Sequence, residues 1–226
     1  DSLEDNSSAD RGSVTLVSRE VKSGRKKAEL TRLKILRAAH AEFLSSGFAG
    51  ATVAAIAKRA GVAVQTVYFV FHTKADLISA VIDLAVMGED EPTVPQEAGW
   101  WAEMTAEPEA AEALRIFVRG AAPLFERAAA ISEVLRAAAL TDPELRRTHE
   151  RHEALRREGF AEVIALLAQK GRLRTGLDRR RATDVFLTIC GDAVWHQFRS
   201  EHGWTAGRVA DWMCSALPAL LLEPEA

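Results

Sequence analysis

The sequence predicts an all-α protein of about nine helices. Alanine, leucine, arginine and glutamate, which favour helices, dominate the central and C-terminal parts of the chain. Apolar residues recur at helical spacing along most of its length, and glycine, proline and capping residues interrupt them. The stretch 62–71 has high β-propensity, but no other stretch offers a convincing strand partner, so we expect no sheet.

Three helices are predicted in the first third of the chain. Residues 28–44 form an amphipathic pattern that Gly47 ends. A second helix begins at Thr52, whose hydroxyl suits an N-cap, and ends at Gly61. The run 62–71 could be a strand by propensity alone; we interpret it as a short helix held by tertiary packing.

The rest of the chain also has helical periodicity. Thr73 and Asp76 form a capping box that opens a helix, and Pro218 should kink the last helix near its end. Between 88 and 107 the prolines and the pair Trp100-Trp101 indicate a loop or a short irregular helix. The predicted helices after Phe71 are 73–86, 109–127, 130–139, 142–170, 178–200 and 205–221.

Charge is distributed unevenly along the chain. The formal net charge is −3, yet 22–74 holds ten basic and two acidic residues, or +8, and 75–226 carries −8. A basic segment on an acidic body suggests a polyanionic partner at one end. A solvated basic helix would give the same pattern. Residues 1–24 are polar and acidic without periodicity and are expected to be a flexible arm.

Composition also indicates a cytoplasmic location. Residues 1–10 lack the basic and then apolar pattern of a secretory signal, and no apolar run approaches the roughly 20 residues needed to span a bilayer. Cys190 and Cys214 are expected to be buried free thiols, because their spacing matches no metal or redox motif. We therefore expect no membrane association.

One segment resembles a known family. Residues 35–77 read ILRAAHAEFLSSGFAGATVAAIAKRAGVAVQTVYFVFHTKADL and resemble the N-terminal DNA-binding domain of TetR-family regulators. The resemblance is ordered, ungapped and covers about a fifth of the chain. The matching positions are Ile35, Leu36, Ala38, Ala39, Phe43, Gly47, Phe48, Thr52, Ile56, Ala57, Ala60, Gly61, Val62, Thr66, Tyr68, Phe71 and Lys74.

The resemblance implies a three-helix helix-turn-helix domain over 25–78 that binds double-stranded DNA, with 64–70 as the recognition helix. Bulk is expected to be excluded at Ala57, Gly61 and Val67, where the two helices cross. Hydroxyl and ammonium groups at the edge of the motif would contact phosphates, namely those of Thr52, Thr66, Tyr68 and Lys74. The side chains of Val64, Gln65 and Phe69 would face base edges.

The N-terminal basic cluster Arg25, Lys26 and Lys27 could reach phosphates or a minor groove, or could be a solvated tail. Three positions depart from the family pattern. Ala63, a DNA-facing position where the family often has Ser, would lack a cap and a phosphate contact. Gln65 replaces a common Gly and Val70 a common His. These departures keep open an alternative, a helical small-molecule-binding module that has lost specific DNA binding.

The resemblance further implies that 79–226 forms a ligand-binding and dimerisation domain, whose last two helices, 178–200 and 205–221, pair with their copies in a homodimer. Abundant aromatic residues favour a small hydrophobic effector. The candidate ligand contacts are Trp100, Trp101, Phe117, Phe125, His149, His152, Phe160, Phe186, Trp195 and His196.

No enzyme, cofactor or metal site is expected. His149 and His152 are spaced i, i+3, which lacks the i, i+4 pair of the zinc-protease helix. The sequence contains no phosphate-binding loop, dinucleotide fingerprint or nucleophile elbow. The resemblance favours a ligand-responsive transcriptional regulator, a repressor that binds a palindromic operator as a dimer and is released by its effector.

Overall fold

The all-α fold is confirmed by the structure, a computed structural model that describes residues 9–89 and 92–224, with side chains from residue 25 onward. These residues form ten α-helices, one turn of 3-10 helix at Pro95–Glu97 and no strand. The helices are α1 (Ala9–Gly50), α2 (Val53–Ala60), α3 (Val64–Phe71), α4 (Lys74–Met87), α5 (Gly99–Ala106), α6 (Ala110–Ala139), α7 (Pro143–Lys170), α8 (Arg179–Ile189), α9 (Asp192–Ser200) and α10 (Ala206–Leu221).

The segment of ambiguous propensity, 62–71, is helical as predicted. Helix α3 buries Val67 and Phe71, one turn apart, in the core of the N-terminal domain. Packing of this apolar face outweighs the β-propensity of the segment. The predicted capping box is also present, since Thr73 Oγ1 accepts the backbone N–H of Asp76 and the Asp76 carboxylate accepts that of Thr73.

Helix α1 is longer than predicted. It starts at Ala9 rather than near residue 28, and its helical geometry is interrupted at Gly47, where φ is 66°. Residues 1–8 of the predicted arm lie outside the described residues, whereas the backbone of 9–24 is helical. A left-handed φ costs glycine little, which explains why the helix changes course there.

Three predicted boundaries in the C-terminal part are wrong. The helices expected at 109–127 and 130–139 are one helix, α6, because the buried Ala128 and Ala129 continue its apolar face. The helix expected at 178–200 is broken into α8 and α9 at Gly191, whose extended backbone begins a new helix. The region 88–107 contains a regular helix, α5.

Two apolar cores are connected through α4 and α6. Leu77 and Ile78 of α4 pack in the core of the N-terminal domain together with Ile131 and Leu135 from the second half of α6. The first half of α6 belongs to the C-terminal core. The predicted domain boundary at 78/79 therefore falls inside α4, a helix that contacts both parts.

No single helix in the described parts of the chain is long and apolar enough to cross a bilayer. Helices α2 and α3 together have the length and composition of a membrane span, but the chain bends by 104° between them.

Candidate functional sites

Helices α2 and α3 form a helix-turn-helix. They meet at 104°, within the 90–120° range of such motifs. Ala57 and Val67 are buried where the helices cross, as expected. Gly61 ends α2 with φ of 69°, and its N–H reaches the carbonyls of Ala57 and Lys58. No atom lies within 4 Å of where a Cβ on Gly61 would stand, so backbone conformation rather than crowding accounts for glycine there.

Helix α3 presents an exposed face made of the residues expected to meet DNA. Val64, Gln65, Tyr68 and Phe69 are all exposed and follow one another at helical spacing. The Phe69 side chain is 83% exposed. Exposure of so large an apolar side chain does not stabilise the fold, so it marks this face of α3 as a candidate contact surface.

The remaining residues predicted to contact DNA differ in exposure and in the hydrogen bonds that they already make. Thr52 Oγ1 accepts the backbone N–H of Ala55 at 3.1 Å, which leaves its hydroxyl hydrogen available. Thr66 is half-buried. Ala63 is the N-cap of α3 and provides no side-chain hydrogen bond, so the first turn of α3 lacks the cap that a serine would supply.

Lys74 has a structural role that the sequence analysis missed. Its Nζ donates to the carbonyl of Phe48 at 2.6 Å and to that of Ala51 at 2.9 Å, and lies 4.2 Å from the Phe48 ring centroid. Partial burial lowers its pKa. Two of the three ammonium donors therefore hold the segment between α1 and α2, and a phosphate contact by Lys74 stays a prediction.

The basic cluster Arg25, Lys26 and Lys27 is exposed on α1. These residues lie on a continuous helix, not on an extended arm. Further along α1, the Arg32 guanidinium stands 4.8 Å from the ring centroid of Phe71. Helix α1 thus adds positive charge beside α3.

A cavity of about 350 Å³ lies between α4, α5, α6 and α7. Its walls are mostly apolar and aromatic, which is typical of small-molecule sites. Six of the ten predicted ligand residues line it: Trp100, Trp101, Phe117, Phe125, His152 and Phe160.

The other four predicted ligand residues do not line this cavity. Phe186 packs behind the wall, with ring centroids 5.2 Å from Phe117 and 4.6 Å from Phe160. Trp195 is buried against Phe125 and donates its Nε1–H to the Glu126 carboxylate at 2.9 Å. His149 and His196 do not line this cavity.

Gly120 makes room for one wall of the cavity. A Cβ on Gly120 would overlap Cβ, Cγ and Cδ2 of Trp100. The indole therefore lies directly on the α6 backbone, where its ring meets Phe117 edge to face with centroids 5.6 Å apart. Only glycine at this position allows so close an approach of α5 to α6.

The cavity has charged groups that the sequence analysis missed, because their pairing is set by tertiary structure. Arg156 of α7 forms an ion pair with the buried Asp192 of α9, and its Nη1 lies 3.0 Å from the Glu153 carboxylate. The carboxylates of Asp83, Glu158 and Glu162 also line the cavity. Gln96 donates to Glu162 at 3.2 Å.

His152 connects the cavity to α4. Its Nε2 lies 3.0 Å from Oγ of the buried Ser79, and its Nδ1 lies 3.9 Å from Asp83 Oδ1. Ser79 Oγ also accepts from Arg151, so its own hydrogen is placed to donate to Nε2. Burial lowers the pKa of His152, partly opposed by Asp83.

Cysteine and metal chemistry add little to these sites. Cys190 and Cys214 are free and buried, as predicted, and burial raises the pKa of the Cys190 thiol. Within residues 9–89 and 92–224, no three His, Cys, Asp or Glu side chains are grouped so as to hold a metal ion.

Comparison with known proteins agrees with the geometry of the N-terminal domain. Residues 35–81 match the model of the family described as bacterial regulatory proteins, tetR family. No curated protein is significantly similar to the chain.

Solved structures share the fold. NalD of Pseudomonas aeruginosa, the secondary repressor of the MexAB-OprM multidrug efflux pump, is 21% identical with a TM-score of 0.64; the match covers 88% of this chain and 100% of NalD. The transcriptional regulator FadR of Bacillus subtilis, in complex with stearoyl-CoA, is 19% identical with a TM-score of 0.63; the match covers 83% of this chain and 98% of FadR.

Proposed function

We propose that this chain, whose residues 35–81 match the model of the tetR family of bacterial regulatory proteins, is a ligand-responsive repressor. It binds a palindromic operator as a homodimer and leaves it when a small molecule occupies the cavity between α4 and α7. The proposed role is regulatory and not enzymatic, and it is exerted in the cytoplasm.

The exposed face of α3 is the observation that supports specific DNA binding most directly. The side-chain amide of Gln65 can bind adenine through two hydrogen bonds, its oxygen accepting from N6 and its NH2 donating to N7, and Val64 and Phe69 can contact thymine methyl groups. Tyr68 places a hydroxyl beside them. The positive charge of α1 supplies the sequence-independent attraction to phosphates.

A homodimer is proposed through α8, α9 and α10. Their outward positions include partly exposed apolar side chains, among them Ile189, Trp212 and Leu220. A two-fold axis through this surface would present two copies of α3 to successive major grooves, roughly 34 Å apart, as symmetric half-sites require.

Release by the effector is proposed to act through α4. Its first half, including Leu77 and Ile78, packs in the core of the DNA-binding domain, while Ile82 and Asp83 line the cavity. A ligand that moves the cavity end of α4 therefore moves the other end as well. Such a ligand shifts the dimer toward a state whose α3 helices are wrongly spaced for the operator.

The test is a comparison of Phe69→Ala with Leu140→Ala on a duplex selected from random DNA. Leu140 is 71% exposed at the end of α6, so it is a matched exposed apolar control. Phe69→Ala should weaken specific binding by about 1–3 kcal/mol, and Leu140→Ala should not. Equal, unchanged binding by both variants would refute the role of α3.

The second candidate is a binding module that has lost specific DNA recognition. The uncapped first turn of α3 at Ala63 favours it, because a helix start without a side-chain acceptor is less firmly held. Under this alternative the selection would recover no preferred sequence.

A further inference from the structure

The charge of the cavity wall is unbalanced. Asp83, Glu158, Glu162 and Asp192 are among its lining residues. Asp192 is buried in the wall, Asp83 is half-exposed, and Glu158 and Glu162 are exposed at the rim. Arg156 is the only arginine or lysine among the lining residues that the structure describes. An entering ligand therefore meets an excess of negative charge at the rim and in the wall.

Arg156 is not available to an anionic ligand. Its guanidinium is shared between Asp192, which is buried, and Glu153. Drawing Arg156 toward a ligand carboxylate or phosphate would leave Asp192 buried without its partner, which is costly. The one fixed cation of the wall is thus neutralised by the protein itself.

His152 adds no positive charge at neutral pH. It is largely buried, which lowers its pKa, and its Nε2 faces the Ser79 hydroxyl. The cation nearest to it on α7, Arg151, points to Ser79. Among the described lining residues, no arginine or lysine pairs with Glu158 or Glu162, and Glu162 only accepts a hydrogen bond from the uncharged Gln96.

The apolar part of the wall suits a positive charge as well as a hydrophobic body. Five aromatic residues surround the cavity, Trp100, Trp101, Phe117, Phe125 and Phe160. The faces of aromatic rings attract cations, tryptophan most strongly, and the attraction grows when the cation is desolvated. Aromatic rings and carboxylates together favour one class of ligand.

We propose that the effector is a lipophilic cation, a compound with an aromatic or aliphatic body and a permanent positive charge. The proposal rests on the proposed effector role of the cavity and specifies the ligand that it selects. The proposed ligand class differs from the stearoyl-CoA bound in the FadR complex. An anionic acyl compound would meet charges of its own sign in this cavity.

Tetraphenylphosphonium and tetraphenylborate test the proposal, because they have the same shape and opposite charge. Binding is followed by tryptophan fluorescence in the full chain. We expect the phosphonium to bind at least about tenfold more tightly than the borate, because carboxylates outnumber cations among the lining residues. Changing Glu158→Gln and Glu162→Gln together should weaken phosphonium binding about 3- to 20-fold.

The control is a double variant of the same helix, Glu144→Gln with Glu150→Gln. Both glutamates are exposed and neither lines the cavity. This variant should keep the wild-type preference. Equal or tighter binding of the borate, no binding of either ion, or the same loss in both double variants would overturn the proposal.

Operator binding without either ion is measured in parallel. A protein that binds its operator but prefers the borate refutes the ligand class and leaves the regulatory function standing. A protein that selects the phosphonium but recognises no operator supports the ligand class and refutes the proposed function.

Discussion

Ser79 of α4 and His152 of α7 are joined by a hydrogen bond of 3.0 Å between Ser79 Oγ and His152 Nε2. Ser79 is buried one residue after Ile78, which packs in the core of the DNA-binding domain, and His152 lines the cavity. This pair is thus a direct polar contact between the cavity wall and the helix that reaches the DNA-binding domain.

Ser79→Ala should therefore weaken the response to the effector more than the binding of the effector. The variant loses the bond to His152 and also the one that Ser79 accepts from Arg151. The bond to His152 alone is worth about 0.5–1.5 kcal/mol, so the effector-induced drop in operator affinity should shrink at least about 2- to 10-fold. Operator affinity is titrated with and without tetraphenylphosphonium. Thr148→Ala, which loses only a bond within α7 and does not line the cavity, is the control and should respond as wild type.

Gly120→Ala should deform the cavity. The new methyl group would overlap the Trp100 side chain, so α5 must shift, with a cost of about 1–3 kcal/mol in the free energy of unfolding. Effector affinity should fall as well. The control is Gly207→Ala on α10, where no atom lies within 4 Å of the added methyl group. It should be neutral or slightly stabilising. Both variants are compared with the wild type by urea unfolding.

Lys74→Met should destabilise the N-terminal domain. It removes two hydrogen bonds from a charged donor to the carbonyls of Phe48 and Ala51, which should cost about 1–3 kcal/mol. Lys34→Met, an exposed change on α1, should stay within about 0.5 kcal/mol of wild type. Equal unfolding midpoints for the two variants would contradict the bracing role of Lys74.

Acid should destabilise the protein through His152. Its pKa lies below the ordinary value, because burial outweighs the attraction of Asp83, and Arg151, Arg156 and His149 act in the same direction as burial. The unfolded chain therefore binds more protons below about pH 6.5, and the free energy of unfolding falls as pH drops through that value.

The check is urea unfolding at pH 7.5 and 5.5 for wild type and His152→Gln. The variant should lose less stability on acidification than the wild type, because it has no imidazole to protonate at this position. His40, whose pKa burial also lowers, is present in both proteins and contributes equally. An identical pH dependence in the two proteins would show that His152 is not held neutral.

Leu220→Arg should break the proposed homodimer. Leu220 is 42% exposed on α10, and a charge on this face would be buried by pairing. Sedimentation equilibrium should show a shift toward monomer of at least about tenfold in the dissociation constant. Leu140→Arg, the same change outside α8–α10, should leave the self-association unchanged.

Sequence reasoning was most successful where local signals and packing agree. Three helix ends were predicted from local signals, and all three are present. Thr52 and the Thr73–Asp76 box cap through side-chain hydrogen bonds, and Gly61 ends α2 through its left-handed backbone. The C-terminal boundaries were harder. The break at Gly191 depends on tertiary packing around the buried Asp192, which periodicity does not report.

The cavity could be predicted only in part for the same reason. Aromatic residues that line it and those behind it, such as Phe160 and Phe186, have the same sequence character and differ only in which way they face. The pairing of Arg156 with Asp192 joins residues 36 positions apart. A single sequence gives no signal for it, yet it determines the charge of the wall.

The most direct test of the central claim is the ratio of operator to random-DNA affinity at one salt concentration, after selection of duplexes from a random library. We predict a palindrome with half-sites about one helical turn apart, bound at least about 1,000-fold more tightly than random DNA. A ratio near one, with binding that only weakens as salt rises, would contradict sequence-specific regulation by this protein.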